Sequence, residues 1–453
     1  MKTIFVTVFQ SFVSRNILNT GVLDELIKKQ YRVVLFVPAP KLEFYRSQYH
    51  HPQVFVESLD LESGLDSKEV FFKNLSELLI NTNAIRFRMI KKLENSGEYV
   101  KYFFRRLIIV TLGGLKLAKR LYRFLDLKIN NNDVFGSYIE RYRPEVVFVP
   151  DVFGFADVLL LKSAIKHNIR NVGMVASWDN NTTKGLMRVI PEKLLVQNEI
   201  IKDESVDIQS VPSSIIEVVG IAHYDYYKQY QPLSREEYFK KLGLDPRKRL
   251  MMYAPAGDKF ISTDWQICEM LKQAYKRGEI PEDVVTLIRI HPTNPVSLKD
   301  FIPDSHFIIE NPGIKFEGLS DKRKELDKDS MNHLLDTLVH AELVINVVSS
   351  MVIDAAVVNK PVITIGFEGW EKSVPFGSSV KRYHMDENMA KLLALGGTLV
   401  VYSAEDLVRQ INTYLENPQL GEDGRARIVE RQCWKLDVQA KFRIAEALSG
   451  GYK

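Results

Sequence analysis

Two serines set directly between a strand-like run and a helix-like run are the first place where this chain could do chemistry. In VINVVSSMVIDAAVVNKPVITIGFEG, the apolar run ends at Ser349 and Ser350 and a helix-forming segment begins at once. Hydroxyls and unpaired backbone N–H groups then meet at a helix N-terminus, which attracts phosphate through those donors and the helix dipole. Asp354, about one helical turn further on, could accept hydrogen bonds from ribose hydroxyls. The competing reading is that the serines only cap the helix and Asp354 only favours its first turn.

Two more loops of the same half carry candidate nucleotide contacts. His291 and Pro292 follow the strand-like TLIRI, whose last basic residue is Arg289. Proline restricts His291 to an extended conformation, and an imidazole fixed there can donate to a phosphate or a leaving oxygen. In YAPAGDKF, Gly257 beside Ala254 and Ala256 would let a diphosphate approach the backbone closely. A turn histidine and a plain strand-to-helix turn remain the alternatives for these two loops.

The N-terminal half has one dense polar loop, GMVASWDNNTTKG, with Trp178, Asp179, Asn180, Thr182, Thr183 and Lys184 within seven positions. Asp179 could act as general base toward an acceptor hydroxyl, while Lys184 and the threonines could hold a phosphate or sugar. The alternative is an Asx-turn with a half-buried Trp178. After the first strand, Arg15 and Asn16 are candidates for an acceptor's phosphate or carboxylate, Arg15 through a bidentate contact. Asp151 follows EVVFVP and could line the same site or cap the next helix.

The elements that must position these groups are strands alternating with helix-length amphipathic segments, the pattern of parallel sheets covered on both faces. Strands are expected at Thr3–Phe9, Arg32–Val37, Val146–Val149, Asn171–Val175, Lys193–Val196 and Ile216–Val219. In the second half they are expected at Leu250–Tyr253, Thr286–Ile290, Leu343–Val347, Pro361–Ile365 and Thr398–Val401. The fold class is therefore α/β with two doubly wound, Rossmann-like domains. The expected division is an acceptor domain at 1–225, a nucleotide-donor domain at 226–430 and a returning helix at 431–453. His223–Arg249 reads as a linker, and Ala404–Asn417 and Asp423–Leu448 as closing helices.

Composition narrows the class. At 453 residues, two domains are the default, and 45% apolar with 26% charged residues is an ordinary globular balance. Cys268 and Cys433 stand far apart, without metal-ligand or disulfide-framework spacing, so no metal site is expected. The start MKTIFVTVFQ reads as a strand rather than a leader, and a reducing cytoplasm fits best. The net charge of +4 is too small to imply nucleic acid. It is unevenly spread, because Arg86 to Lys128 holds twelve Lys or Arg against Glu94, Glu98 and Asp126. Within it, Tyr99 to Leu127 interleaves basic and apolar residues as a membrane-surface segment does, and peripheral contact with acidic lipids at the inner membrane face is one expectation. The other is a helical hairpin around Gly113 and Gly114 whose apolar face is core.

Taken together, the chain resembles the GT-B superfamily, in particular the branch of CDP-glycerol glycerophosphotransferases and His-Pro-motif sialyltransferases. The resemblance rests on His291–Pro292, on Ser349–Ser350 followed by Asp354 and KPVI, and on VVGIAHYDYY, which looks like the family's Gly-x-x-x-x-Asp segment. It implies two facing domains, with His291, Ser349 and Ser350 on the donor phosphate and Asp354 on the ribose or a nearby polar group. Where teichoic-acid polymerases carry His-Gly-x-Pro-x-Lys, this chain has WDNNTTKG, with Asp179 nearest the missing histidine.

The expectation is thus an inverting, metal-independent glycosyltransferase, with no cofactor beyond its nucleotide-sugar donor. UDP is the favoured base, and a cell-surface glycan or lipid-linked molecule the acceptor. Transfer of polyol phosphate from a CDP donor, 2-epimerisation of a sugar nucleotide and a non-catalytic assembly role are the rivals.

Overall fold

The computed structural model describes residues 1–61, 66–130, 132–299, 301–316, 324–347, 349–370 and 374–450. The last three residues of the expected 431–453 segment lie outside that set. The chain forms two compact units: Met1–Tyr226 with residue 316 and the chain from Gln432, and Tyr227–Lys315 with the chain from 324 to Arg431.

The first unit is built on seven strands: β1 (Lys2–Thr7), β2 (Tyr31–Pro38), β3 (Val54–Leu59), β4 (Val146–Val149), β5 (Arg170–Met174), β6 (Lys193–Val196) and β7 (Ile216–Val218). They lie in the order β3-β2-β1-β4-β5-β6-β7, and every pair is parallel. A parallel sheet is covered on both faces, so its central strands are apolar without interruption. Successive residues of β2 accordingly enter different cores, with Val33, Leu35 and Val37 in one and Val34 and Phe36 in the other.

The second unit has six strands: β8 (Arg249–Ala254), β9 (Val284–Arg289), β10 (Phe307–Glu310), β11 (Ala341–Asn346), β12 (Val362–Ile365) and β13 (Leu399–Val401). Their order is β10-β9-β8-β11-β12-β13, again wholly parallel. Both units are thus doubly wound and Rossmann-like, as the alternating pattern implies.

Three expectations need correction. β3 and β10 were not expected as strands; each is the outermost strand of its sheet, and VFVESL and FIIE mix exposed and buried positions. The segment read as a linker is largely helical, with helices at Ala222–Gln229 and Arg235–Leu242. Ser234 and Glu237 of the latter form a reciprocal capping box, a local signal that outweighs the flanking prolines.

Finally, Asp423–Leu448 is not one helix: Glu422–Ile428 runs into a π-helical turn at Val429–Cys433, and a new helix begins at Ala440. Trp434 and Val438 adopt positive φ in the break. The final helix, Ala440–Ser449, sits in the first unit's core through Ile444, Ala445 and Leu448. Arg170 donates to the carbonyls of Ala447 and Leu448 at 2.6 and 2.8 Å.

Candidate functional site

In an open α/β sheet, ligands bind beyond the carboxyl ends of the strands where the strand order reverses. The first sheet reverses between β1 and β4, the second between β8 and β11. The loops leaving those strands are therefore the candidate sites, one in each unit.

In the second unit, the loop after β8 is organised by Asp264, the first residue of the helix Asp264–Lys276. Its carboxylate accepts from Tyr253 Oη at 2.7 Å, Ala256 N at 3.2 Å and Gly257 N at 2.8 Å. Burial pushes its pKa up to about 6 against those three donors. The Gly257 N–H is thus already bonded within the protein. Gly257 has φ +90°, and a Cβ there would stand 2.9 Å from the Pro295 carbonyl and 3.0 Å from Asn294 Cβ. Glycine is required because this loop packs directly on the loop after β9. The two are also joined by Asp258 N to Pro295 O at 2.9 Å and by Ser297 N to the Asp258 carboxylate.

His291 lies in that second loop. Its Nδ1 accepts from the backbone N–H groups of Thr293 and Asn294 at 3.1 and 3.0 Å. A neutral imidazole whose Nδ1 accepts carries its proton on Nε2, so His291 presents Nε2 as a donor. Arg289 is held differently. Its buried guanidinium is paired with Glu310 on β10 and lies 3.3 Å from the Ser330 carbonyl, and Glu310 is shared with His333. The arginine's charge is neutralised inside the unit.

After β11, Ser349 Oγ accepts from Met351 N at 3.1 Å, and Ser350 is the N-cap of Met351–Val357 without a capping bond from its side chain. Buried Asp354 accepts from Tyr227 Oη at 2.8 Å. Two groups that the sequence reading missed lie at the ends of β11 and β12. Asn346, the last residue of β11, is fully buried; its Oδ1 accepts from Thr364 at 3.2 Å, but its Nδ2 has no partner among the described residues. His384 interacts with the backbone at Val347 and Ile365, where β11 and β12 end. Burial lowers its pKa, and its Nε2 has no partner among the described residues. A lone Asn closing an apolar strand was the available signal for the first. Nothing in the sequence placed His384 beside these strands.

In the first unit the reversal point holds carboxyl groups. Asp157 accepts from Thr7 Oγ1 on β1 at 2.7 Å and from Asp151 N at 3.2 Å. Burial, reinforced by the neighbouring Asp151, pushes the Asp157 pKa up to about 8. Asp151 is also raised by burial; the Lys184 charge opposes that and the Asp179 charge adds to it. Asp151, Asp179 and Lys184 are therefore within electrostatic reach of one another. Asp157 went unnoticed in the sequence, although a lone acid opening the apolar FADVLLLK helix marks it.

The Trp178 loop is more internally bonded than its composition implies. The Asp179 carboxylate accepts from Ser177 Oγ at 2.7 Å and Thr183 Oγ1 at 3.2 Å, and its carbonyl accepts both threonine hydroxyls. Asn180 is buried, its N–H bonded to the Ser177 carbonyl, and Trp178 is half-buried against the core. Only Lys184 of these residues is exposed. Arg15 Nε bonds Asn16 Oδ1 at 2.9 Å on the short helix after β1. The Arg15 charge adds to burial in holding His223 well below its usual pKa. Asp225, in the family-like segment, accepts from Ala440 N at 2.8 Å and so caps the returning C-terminal helix.

Among the described residues no His, Cys, Asp and Glu cluster has metal-binding geometry, and no helix is long and apolar enough to cross a membrane.

No family model matches the chain, and no curated protein matches it. Solved structures do. The UDP-GlcNAc 2-epimerase of Neisseria meningitidis bound to UDP-GlcNAc is similar with a TM-score of 0.56 and 10% identity, covering 99% of each chain. The wall teichoic acid polymerase TagF is similar with a TM-score of 0.52 and 13% identity, over 99% of this chain and 88% of that one. A glycosyltransferase from Rickettsia africae is similar with a TM-score of 0.50 and 10% identity, over 100% and 99%. At these identities the likeness concerns the fold, and the fold of this chain is GT-B, two Rossmann-like domains in one polypeptide.

Proposed function

We propose that the protein is a glycosyltransferase acting on a nucleotide-activated sugar, with the nucleotide held at the second sheet's reversal point and the acceptor at the first. The observation that carries this reading is the gathering of donors at the ends of the adjacent strands β9, β8 and β11. His291 Nε2, Ser350 and the Nδ2 of Asn346, unpartnered among the described residues, belong to that edge. Such a set suits an anion, and a GT-B protein similar in fold holds UDP-GlcNAc.

In the reaction, Asp179 takes the proton of the acceptor hydroxyl, whose oxygen bonds to the donor's anomeric carbon. The bond from that carbon to the diphosphate breaks, and its electron pair leaves with the phosphate oxygen. His291 and the serines stabilise that charge as it develops, which is where preorganised donors act most strongly. Lys184, Arg15, Asn16, Trp178 and Asn180 orient the acceptor. Asp354 acts through Tyr227 or on the ribose, while Gly257 and Arg289 shape the donor loops from within.

One observation favours a second reading. Burial and the neighbouring Asp151 push the Asp157 pKa up to about 8, so this carboxyl pair holds a proton near neutrality. That suits 2-epimerisation, in which a proton is removed beside the anomeric centre.

Thermal shift against UDP, GDP, CMP, CDP and dTDP tests the site, because a ligand that binds only the folded state raises its melting temperature. UDP, GDP or dTDP supports the sugar-transfer reading, CMP a sialic-acid or Kdo donor, and CDP the polyol-phosphate rival. No shift with any of them overturns the nucleotide site. Incubation with donor alone then separates the two readings, since an epimer appears without acceptor only in the second.

A further inference from the structure

The helices Tyr99–Leu112 and Lys116–Ile129 form a hairpin whose chemistry is turned outward. A surface helix normally buries its apolar stripe and exposes its polar one. In Lys116–Ile129 the buried residues are Lys119, Tyr122, Arg123 and Asp126. Each has an interior partner: Lys119 Nζ donates to Ile208 O at 2.6 Å, Tyr122 Oη to Phe72 O at 2.7 Å, and Arg123 to the carbonyls of Met187 and Gln209. Asp126 is paired with Lys162 and Arg188 at 2.7 and 2.8 Å.

The opposite stripe, with Leu117, Leu121 and Phe124, is 55–77% exposed. In Tyr99–Leu112 only Ile109 is buried, while Val100, Phe103 and Phe104 are 65–86% exposed. Among the described residues, thirteen of the twenty-five exposed large hydrophobic ones fall between Tyr99 and Ile129. That concentration separates this face from the single apolar residues scattered over any protein surface.

The face is fixed rather than incidental. At the turn, a Cβ on Gly113 would lie 2.5 Å from the Ile109 carbonyl and 3.2 Å from Ile80, so glycine lets the hairpin close against the body of the unit. The inward polar bonds then determine which stripe points out.

Charge identifies the occupant. Lys116, Arg120 and Lys128 are exposed around the apolar residues, with Arg105 and Arg106 half-buried and Lys101 paired with exposed Glu98 at 2.9 Å. Asp126, the sole acid between Tyr99 and Ile129, is spent inside. A second copy of the chain meeting this face symmetrically would set cations against cations. An anionic bilayer instead offers a hydrocarbon boundary for the aromatic and leucine side chains and phosphates for the basic rim.

We propose that this outward face docks the protein on an anionic lipid surface, lying in the interface without spanning it. The test is sedimentation of the full chain with phosphatidylcholine vesicles and with phosphatidylcholine–phosphatidylglycerol vesicles at about 3:1. The wild type sediments with the anionic vesicles and is released by salt. Replacing Phe103, Phe104, Leu121 and Phe124 together by serine weakens partition roughly tenfold or more, and Lys116→Glu, Arg120→Glu and Lys128→Glu together abolish the preference for anionic vesicles. Both variants keep the wild-type circular dichroism and melting temperature, because the replaced side chains touch solvent. The proposal is overturned if the wild type stays in the supernatant with both vesicles, or if the serine variant sediments as the wild type does. It is equally overturned if the wild type is a dimer that the serine substitutions convert to monomer.

Discussion

The two sheets reverse their strand order in the same way and use the same kind of loop, yet their reversal points hold opposite chemistry. In the first, Asp151 and Asp157 are buried next to each other with raised pKa values. In the second, the buried acids are already engaged, Asp264 by Tyr253, Ala256 and Gly257 and Asp354 by Tyr227, and beside them stand hydroxyl, amide and imidazole donors. Topology therefore provides a place for a ligand, and side chains decide its charge: an edge rich in donors suits a phosphate, and an edge with protonatable carboxyls suits proton transfer.

The strongest way to break this contrast is to remove donors from one edge and acids from the other. His291→Ala combined with Ser350→Ala is expected to lower turnover about 10²–10³-fold and to abolish the nucleotide thermal shift. Asp157→Asn is expected to leave that shift intact. Equal loss in both variants would mean that the two edges are not chemically distinct.

Next in size, Asp264→Ala strands one phenol and two N–H donors in a buried loop and should cost about 3 kcal/mol or more in chemical denaturation. Gly257→Ala forces a side chain into φ +90° and against Pro295, for about 1–3 kcal/mol. Should Gly257→Ala be tolerated with full stability, the loop contact would not be what fixes that edge.

The smallest effect sharpens the acidic side. The folded pKa of Asp157, about 8, lies above its unfolded value, so the folded state binds the proton more tightly. Its contribution to stability is fully present below the unfolded pKa and is lost as pH rises through about 8. Asp157→Asn, a neutral isostere that can still accept from Thr7, should melt near the wild type below about pH 4 and a few degrees above it at about pH 9. The reverse order would mean that Asp157 is ionised in the folded state.

Much of the architecture was legible because continuous apolar runs such as VVFV and KLLV have no stable place except a parallel strand covered on both faces. The outermost strands escaped notice for the converse reason: with one edge unpaired, β3 and β10 tolerate Glu57, Ser58 and Glu310 among their apolar residues. The candidate loops were legible as well, since Ser349, His291 and Asp151 follow runs that read plainly as strands. What was not legible was which polar atoms are already used. The density of the Trp178 loop suggested a ligand, yet Thr182 and Thr183 bond back to Asp179, and Asn181 bonds Ile201 and Ser205 at 3.1 and 3.0 Å.

The hairpin divides the two sources of information most sharply. Sequence by itself determined that Tyr99–Ile129 is helical, basic and apolar, because 3.6-residue periodicity sorts its residues into two stripes. Only the tertiary structure decided which stripe is inside. Lys162 and Arg188 are far from Asp126 in sequence and meet it in the fold, so their buried charges draw the polar stripe inward. Removing Asp126 would leave Glu69 alone to balance both buried cations, at a cost of about 3–5 kcal/mol. Periodicity is local and can be read from neighbours along the chain; burial is set by groups that come together only when the chain has folded.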